Sequence, residues 1–326
     1  MTKEQVLSLL LQAKQPLSGE QMSRTLGVSR AAVWKAIGSL RLEGYTIEAA
    51  TRRGYRLTAC PSAPDALRIA QLLSGHPWCS RVRVLEQTDS TNNEIKRLAA
   101  AGAPEGTCVV ALRQTAGRGR RGRSFLSPEG GLYMSVLLRP ALRPEALMPL
   151  TAMTAVAAMR AVEQASGLRP GIKWTNDLVV GRRKLCGILT ELSIEAESQA
   201  VDYVVIGIGI NCSPTHFPPE LAEHVTDLQT QTGRATDRSL LAAKLLTGLY
   251  ELEQALPEGK DAWLRVFSEN CVTLGQAVSV VRGDQVRHGH ADGIDENAAL
   301  RVRYDDGSCE TVSSGEVSVR GMYGYV

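Results

Sequence analysis

Two prolines within five residues divide this 326-residue chain into parts with different patterns. Residues 60–64 read Cys-Pro-Ser-Ala-Pro, and prolines with small residues between patterned segments are typical of a linker. The chain is also longer than one hydrophobic core usually supports. We therefore predict three domains, at residues 1–62, 65–270 and 273–326.

The segment before the linker has the pattern of a winged helix-turn-helix. Ser18 and Gln21 have capping-box spacing at the start of one helix. Ser29 is placed to cap the next helix, after a turn containing Gly27. Two helices joined by such a turn form a helix-turn-helix, which we place at residues 19–38. Two strands around a basic turn follow and form the predicted wing.

The charge of this first segment indicates a polyanionic partner. Residues 1–60 contain nine Lys and Arg against four Asp and Glu, although the whole chain has a net charge of only +3. A clustered basic surface favours DNA binding. A winged helix used only for protein contacts is the alternative. The predicted DNA-binding residues are Ser29, Arg30, Trp34 and Lys35 on the third helix, with Arg52 and Arg53 in the wing.

The rest of the chain predicts two further folds. Between residues 65 and 270, strand-like and helix-like segments alternate, which is expected of a mixed α/β domain. From residue 273 onward, five short alternating runs separated by Gly-Asp and Asp-Gly turns predict a small β-barrel of SH3-like size. The predicted fold class is therefore α+β with several domains.

The cysteines and the apolar segments indicate the compartment. The seven cysteines are scattered and include no Cys-x-x-Cys pair. That pattern argues against a disulfide framework and a structural zinc site, and it favours a reducing cytoplasm. No stretch approaches about 18 consecutive apolar residues, so we expect no membrane span.

The most informative loop covers residues 114–123, Gln-Thr-Ala-Gly-Arg-Gly-Arg-Arg-Gly-Arg, and follows a predicted strand. Its three glycines let backbone N–H groups approach a ligand, and its four arginines offer bidentate anion binding. Strand ends of open α/β sheets are common ligand sites. The loop lacks the Gly-Lys-Ser/Thr of a P-loop. The alternative is a solvated basic loop or a nucleic-acid patch.

Three other segments carry polar residues or glycines in unusual places. Residues 89–92, Asp-Ser-Thr-Asn, stand between a strand and a helix, where they bind a ligand or simply cap the helix. Lys184 opens an apolar strand, so it must point to solvent or into a pocket. Residues 206–211, Ile-Gly-Ile-Gly-Ile-Asn, leave one strand face without side chains. Such a face suits a flat ligand or a close packing contact.

In this order and at this spacing, six motifs resemble those of the biotin–protein ligases. With a winged helix in front, the chain is similar to the bifunctional class, in which the ligase is also the biotin-operon repressor. Thr175 stands where that family usually has proline, and Phe125 stands where many members have tryptophan. The motifs are D-S-T-N from residue 89, Q-T-A-G-R-G-R-R-G-R from 114, S-P-x-G-x-L-Y from 127, K-W-x-N-D from 173, R-K-L-x-G-I-L from 183 and G-I-G-I-N from 207.

The resemblance implies a central domain of the class II synthetase type and a reaction in two steps. Biotin and ATP, with Mg²⁺, form biotinyl-5′-AMP, and a lysine of a carrier protein then takes the biotinyl group. Lys184 and Arg120 are implied as catalytic residues. Asp177 is the carboxylate expected near the Mg²⁺, although no metal ligand is assigned. The residues implied for biotin and its adenylate are Ser90, Thr91, Asn92, Gln114, Arg118, Gly119, Arg120, Arg121, Arg123 and Lys184.

The same resemblance implies three partners. They are a biotin carboxyl carrier protein, operator DNA, and a second copy of the chain in a homodimer that forms when ligand is bound. Two rival functions remain. A lipoate–protein ligase has similar adenylate chemistry but acts on a linear acyl chain, whereas a pure regulator would bind the adenylate without making it. Lys184 and the four arginines argue against the pure regulator.

Overall fold

A computed structural model describes residues 2–50, 54–195, 197–214, 217–256, 258–282, 284–313 and 316–319. Within these ranges the helices and strands fall into three parts along the chain. No helix in these ranges combines the length and the apolar character needed to cross a membrane.

The first part consists of three helices and a two-stranded antiparallel sheet. Gln21 N–H donates to the Ser18 hydroxyl at 3.0 Å, and Ser18 N–H donates to the Gln21 side chain at 2.8 Å, so the predicted capping box is confirmed. Gly27 ends the second helix with a φ of 65°, which glycine adopts readily. Ser29 caps the third helix. The elements are α1 (Thr2–Gln12), α2 (Gly19–Leu26), α3 (Arg30–Leu42), β1 (Thr46–Ala50) and β2 (Gly54–Ala59).

This part has a hydrophobic core of its own. Each helix turns one apolar face inward, as the helical spacing of its apolar residues requires. The helix-turn-helix prediction is therefore confirmed in local geometry and in packing. The buried core residues are Val6, Leu7, Leu10, Met22, Val33, Ala36, Ile37, Leu40, Tyr45 and Ile47.

The central part is built on a seven-stranded mixed sheet. The strands lie in the order β3-β4-β5-β9-β8-β7-β6; β3 and β4 are parallel, and the other neighbours are antiparallel. The mixed α/β prediction is confirmed. These strands are β3 (Val82–Thr88), β4 (Cys108–Gln114), β5 (Leu132–Leu138), β6 (Gly171–Lys173), β7 (Asp177–Val180), β8 (Arg183–Ile194) and β9 (Val201–Ile210).

Helices cover both faces of this sheet. Two long helices, α6 and α9, pack on each other and on one face in the main hydrophobic core. On the other face, Ile95 and Ala99 of α5 pack on Val205 of β9, so the N-terminus of α5 reaches the glycines of β9. The helices are α4 (Ala66–Leu72), α5 (Thr91–Ala100), α6 (Leu150–Ser166), α7 (Pro219–Ala222), α8 (Leu228–Thr232), α9 (Arg238–Ala255) and α10 (Lys260–Asn270), with 3₁₀ turns at Arg120–Gly122 and Pro144–Leu147.

The third part is a five-stranded antiparallel sheet within the described residues. The predicted short strands are confirmed, and the closure into an SH3-like barrel stays a prediction. Trp174 ties this sheet to the central part, because its Nε1 donates to the Ala298 carbonyl at 2.8 Å. The strand order is β13-β12-β11-β10-β14, with β10 (Ala277–Arg282), β11 (Gln285–Ile294), β12 (Leu300–Tyr304), β13 (Cys309–Val312) and β14 (Glu316–Val319).

The linker is fastened to the central part. Arg238, the first residue of α9, donates to the Ser62 carbonyl at 2.9 Å and to the Gly131 carbonyl at 3.0 Å. Arg68 of α4 forms an ion pair with Asp237. Burial lowers the pKa of Arg238, because the charged guanidinium is taken out of water. The contact with Arg238 therefore holds the linker against the central part.

Candidate functional site

An open cleft lies where the N-terminus of α5, the arginine-rich loop and the paired segments of β8 and β9 meet. Eight of the ten residues predicted to bind ligand line it. The lining residues are Ser90, Thr91, Asn92, Gln114, Arg118, Gly119, Arg120, Phe125, Asn176, Lys184, Gly187, Ile188, Leu189, Gly207, Ile208 and Gly209.

Three glycines of β8 and β9 form the floor of the cleft. Gly187 pairs with Gly209 across the two strands, and a Cβ on either would press against the Phe125 ring. A Cβ on Gly207 would collide with the Asn92 carboxamide. Of the two explanations for this glycine pattern, close packing is therefore the one seen in the structure. Phe125 and Asn92 fill the space that β-strand side chains would take.

The N-terminus of α5 supplies one polar wall. Ser90 stands at the N-cap position, but its side chain makes no capping hydrogen bond; the residue is 2% exposed and lines the cleft. Gln114 replaces it as the cap. The Gln114 Oε1 accepts from the Thr91 backbone N–H at 2.8 Å and from the Thr91 hydroxyl at 3.0 Å. The Ser90 hydroxyl therefore does not cap the helix, and Ser90 lines the cleft.

Asn92 is fixed at both ends of its carboxamide. Its Nδ2 donates to Glu191 Oε2 at 2.8 Å, and its Oδ1 accepts from the Ser135 hydroxyl at 2.6 Å. Glu191 also forms an ion pair with Lys96 at 2.7 Å. Burial acts to raise the pKa of Glu191, but hydrogen bonds from Lys96 and Asn92 hold that pKa below its ordinary value. The carboxylate is therefore ionised at neutral pH.

The arginine-rich loop divides its four arginines between the cleft and solvent. Arg118 and Arg120 line the cleft together with Gly119, as the sequence predicts. Arg121 and Arg123 are exposed outside it. The reason is a tight reversal of the chain, in which the Gly119 N–H donates to the Arg123 carbonyl at 2.7 Å.

Lys184 and Arg120 meet beside one carboxylate. Lys184 Nζ lies 2.8 Å from Asp177 Oδ1, and both side chains are mostly buried. Arg120 donates to Asn176 Oδ1 at 2.9 Å, and Asn176 donates to Asp177 at 3.1 Å. Burial lowers the pKa of Arg120, and the charge of Asp177 partly offsets this. The arrangement concentrates positive charge in a partly dry corner, where it suits an anionic ligand.

Sequence reasoning did not assign Asn176 and Leu189 to the site, and it named Phe125 only as a departure from the family pattern. The K-W-x-N-D and R-K-L-x-G-I-L motifs were the signals that could have found Asn176 and Leu189. Ile188 N–H donates to the Asn176 carbonyl at 2.9 Å, and the Asn176 side chain donates to the Ile188 carbonyl at 3.0 Å. These bonds fasten the turn after Thr175 to β8.

The exposed face of α3 is a second candidate surface, and none of its residues lines the cleft. Arg30, Trp34 and Lys35 lie on this face, and Trp34 is 70% exposed. The predicted wing residues, Arg52 and Arg53, lie outside the described residues.

The fold and the two surfaces define a class of protein in which a helix-turn-helix is joined to a domain that binds a small ligand. The sequence model of the HTH domain matches residues 2–56. The model of the Biotin/lipoate A/B protein ligase family matches residues 84–211, and that of the Biotin protein ligase C terminal domain matches residues 273–320.

Named relatives agree over nearly the whole chain. The bifunctional ligase/repressor BirA of Bacillus subtilis (strain 168) is 36% identical over 295 residues, which are 89% of this chain and 90% of that protein. That of Escherichia coli (strain K12) is 33% identical and covers 93% of this chain and 92% of its own. A structure of biotin protein ligase from Aquifex aeolicus in complex with biotin and ATP superposes with a TM-score of 0.62 at 30% identity, covering 74% of this chain and 98% of that one. The chain belongs to the biotin protein ligase family, in its bifunctional ligase/repressor class.

Proposed function

We propose that this chain is an ATP-dependent biotin protein ligase that forms biotinyl-5′-AMP in the cleft and transfers biotin to a lysine of a biotin carboxyl carrier protein. The observation that carries the proposal is the cleft itself. It places the cations Arg118, Arg120 and Lys184 beside a wall of hydroxyl and carboxamide groups. A ligand that is polar at one end and anionic at the other fits this arrangement.

The first step joins two anions, so cations must offset their repulsion. Lys184 exchanges Asp177 for the biotin carboxylate and the α-phosphate of ATP, and as a compact charge it bridges the two. A carboxylate oxygen attacks the α-phosphorus, the bond to the pyrophosphate oxygen breaks, and pyrophosphate leaves. Arg118 and Arg120 bind the phosphate oxygens.

The polar wall holds the ureido ring of biotin, which carries two N–H donors and one carbonyl acceptor. Ser90, Thr91, Asn92 and Gln114 supply the complementary groups. All four are held by the strand ends and by the first turn of α5, so the wall is formed before ligand arrives. The backbone of Gly119 contacts the ligand between this wall and the arginines.

A Mg²⁺ ion bound with ATP would supply additional positive charge to the phosphates. Among the described residues, no group of three or more His, Cys, Asp and Glu side chains is arranged to hold a metal ion. Mg²⁺ at nucleotide sites commonly uses one or two carboxylates together with substrate phosphates. Asp177, beside Lys184, fits this limited role.

In the second step the carrier lysine attacks the mixed anhydride. Its amine forms a bond to the biotinyl carbonyl carbon, AMP leaves, and the amine loses a proton. Water would destroy the anhydride first, so the site must exclude it. Closing the arginine-rich loop over the phosphate brings in Arg121 and Arg123, which are exposed in this structure.

Incubation with biotin, MgATP and a carrier domain, followed by intact-mass measurement, tests the proposal. The carrier is expected to gain one biotinyl group, and omission of ATP is expected to abolish the gain. Lipoic acid in place of biotin is expected to give no product. A modified carrier without ATP, or a lipoyl product only, would contradict the proposal.

The first part of the chain acts as a DNA-binding repressor of biotin genes. We place the protein in the cytoplasm, where its carrier protein and its operator DNA are found. Arg30, Trp34 and Lys35 are the residues we propose to contact the operator, with Ser29 fixing the helix that carries them. Arg52 and Arg53 are proposed as wing contacts with the backbone of the DNA. We propose the domain boundaries 1–62, 65–270 and 273–326.

Deleting residues 1–62 is expected to abolish operator binding and to leave ligase activity within about tenfold of the full chain. The loss of Ser62 removes one acceptor of Arg238, whereas the Gly131 carbonyl remains. Gel shift and carrier biotinylation measure the two effects. In the full-length chain, Arg30→Ala with Lys35→Ala should weaken operator binding without changing ligase activity. A folded truncate without ligase activity would show that the first part also shapes the cleft.

The adenylate is proposed to act as corepressor by stabilising a homodimer. One helix-turn-helix reads a short half-site, so specificity requires two copies on a palindrome. We expect biotin with MgATP to tighten operator binding by about 5–150-fold, biotin alone to do so less, and unbiotinylated carrier to reverse the effect. Sedimentation and gel-shift titrations measure both equilibria. Equal dimerisation and equal operator affinity with and without a non-hydrolysable adenylate would rule out the switch.

A further inference from the structure

A chain of polar side chains in close contact runs through the polar wall of the cleft, and it begins outside the cleft at Glu191. In the register of β8 and β9, Leu189 lies opposite Gly207, and Glu191 lies opposite Val205, one step beyond the floor of the cleft. From there Asn92 Nδ2 donates to Glu191 (2.8 Å) and the Ser135 hydroxyl donates to Asn92 Oδ1 (2.6 Å). Thr91 Oγ1 lies 2.7 Å from Ser135 Oγ and 3.0 Å from Gln114 Oε1, and its single proton serves one of these two oxygens.

The two ends of this chain fix the orientation of the Asn92 and Gln114 carboxamides. An ionised carboxylate only accepts hydrogen bonds, so Asn92 must turn its NH₂ group to Glu191. A flipped Asn92 would set its oxygen against both the carboxylate and the Leu189 carbonyl, which lies 3.4 Å from the present Nδ2. At the other end, the Thr91 backbone N–H only donates, so Gln114 must present its oxygen. The orientations of the Asn92 and Gln114 carboxamides are therefore set.

The orientation of Asn92 also decides which polar atom lies over the glycine floor of the cleft. Asn92 Oδ1 lies directly over Gly207, where a Cβ would collide with it, and both residues line the cleft. Asn92 is 4% exposed, so its carboxamide has little solvent to satisfy it. An oxygen at this point accepts from a ligand N–H, whereas an NH₂ group would repel it.

Two cations hold the carboxylate in place. Glu191 Oε1 lies 2.7 Å from Lys96 Nζ and 3.3 Å from Arg118 Nη1. Lys96 lies on α5, one turn beyond Asn92, so helix, strand and loop all converge on this one carboxylate. The Glu191 side chain is 19% exposed, and it does not line the cleft; it reaches the ligand site through Asn92.

We infer that Glu191 is a positioning residue for the biotin head group: through a charge-assisted hydrogen bond it fixes Asn92 with its carbonyl oxygen turned toward a ureido N–H. This inference rests on the proposed function, since it names the biotin head group as the occupant of the wall. It adds a specificity-determining residue one step outside the cleft. Hydrogen bonds to an ionised acceptor are the stronger kind, so this one is suited to hold a buried amide in a single orientation.

The test is a double-mutant cycle on Glu191→Gln and Asn92→Asp, read by equilibrium binding of biotin alone. E191Q is expected to weaken biotin binding about tenfold or more, because either amide can then rotate. N92D is expected to weaken it further, because two carboxylates then face each other. Adding E191Q to N92D is expected to restore much of the loss, since the new amide at position 191 donates to the new carboxylate at position 92. Affinity for a non-hydrolysable ATP analogue should stay within about twofold in E191Q.

Glu94→Gln is the matched control. Glu94 also lies on α5, where it forms an ion pair with Arg97, and it does not line the cleft. The biotin affinity of Glu94→Gln should therefore equal that of the wild type. Thermal unfolding is followed for every variant. If E191Q does not fold, the double variant Glu191→Gln with Lys96→Met replaces it in the cycle. This variant also removes the Lys96 ammonium, which E191Q deprives of its carboxylate partner.

The outcomes separate the inference from the function on which it rests. A wild-type chain that does not bind biotin would overturn the proposed function. A wild-type chain that binds biotin, with E191Q within about twofold of it, would overturn the inference alone. A loss in E191Q that adds to the loss in N92D, with no restoration in the double variant, would also overturn it, because a residue that only supports the fold gives additive losses.

Discussion

Adenylate formation is expected to slow by about 10²–10³-fold when Lys184 is replaced by alanine, because the reaction then lacks the cation that bridges the two anions. The replacement also leaves Asp177 without the ammonium that lies 2.8 Å away, so a carboxylate faces the incoming phosphates. Biotin–dependent exchange of pyrophosphate with ATP measures the step directly. Affinity for biotin alone should change far less than the rate.

Arg183→Ala is the control for this change. Arg183 is the neighbouring residue at the start of β8, and its side chain is exposed, so pyrophosphate exchange should proceed as in the wild type. Lys184→Ala should fold normally, because a lysine in a cleft contributes little to the core. Exchange at a near wild-type rate in Lys184→Ala would mean that another group bridges carboxylate and phosphate.

Arg120→Gly is expected to release biotinyl-5′-AMP about 10–100-fold faster, whereas affinity for biotin changes little. The Arg120 guanidinium is partly buried, and its loss of hydration lowers its pKa. A bound phosphate anion would compensate for that lost hydration, so the loss of Arg120 should weaken retention of the adenylate. Stopped-flow measurement of adenylate release gives the rate. Diffuse biotinylation of lysines on bystander proteins should accompany it, because the free adenylate reacts in solution.

Arg121→Ser provides the comparison within the same loop. Arg121 is exposed outside the cleft and has a φ of 57°, so its replacement should accelerate release less than that of Arg120. An unchanged release rate in Arg120→Gly, with a faster one in Arg121→Ser, would assign the phosphate to Arg121 and would show that the loop rearranges when it closes.

Short-range features of the fold could be predicted well. The capping box of Ser18 and Gln21, the left-handed turn at Gly27 and the cap at Ser29 depend on groups within five residues of each other. Their hydrogen bonds form in nearly any tertiary setting, so the sequence specifies them directly. The alternation of strands and helices in the central part is determined in the same way, by apolar periodicity.

The membership of the cleft was also largely predictable, because the motifs that carry the family resemblance indicated eight of the residues that line it. The assignment of Ser90 was more ambiguous, since Ser-Thr-Asn before a helix is an ordinary cap. Gln114, which lies 23 residues beyond Thr91, removes the ambiguity by capping the helix at Thr91. Local sequence does not contain that information.

The sequence by itself determined the helix-turn-helix and the mixed sheet, because both follow from local hydrogen bonding and periodicity, and its motifs indicated eight of the residues that line the cleft. The tertiary structure alone decided how those residues divide and orient. It placed Arg118 and Arg120 inside the cleft and Arg121 outside, and it set Asn92 against Glu191, 99 residues away. The physical reason is that the direction of a buried hydrogen bond depends on its partner, and Asn92 of α5 meets Glu191 of β8 only when the helix has packed on the formed sheet.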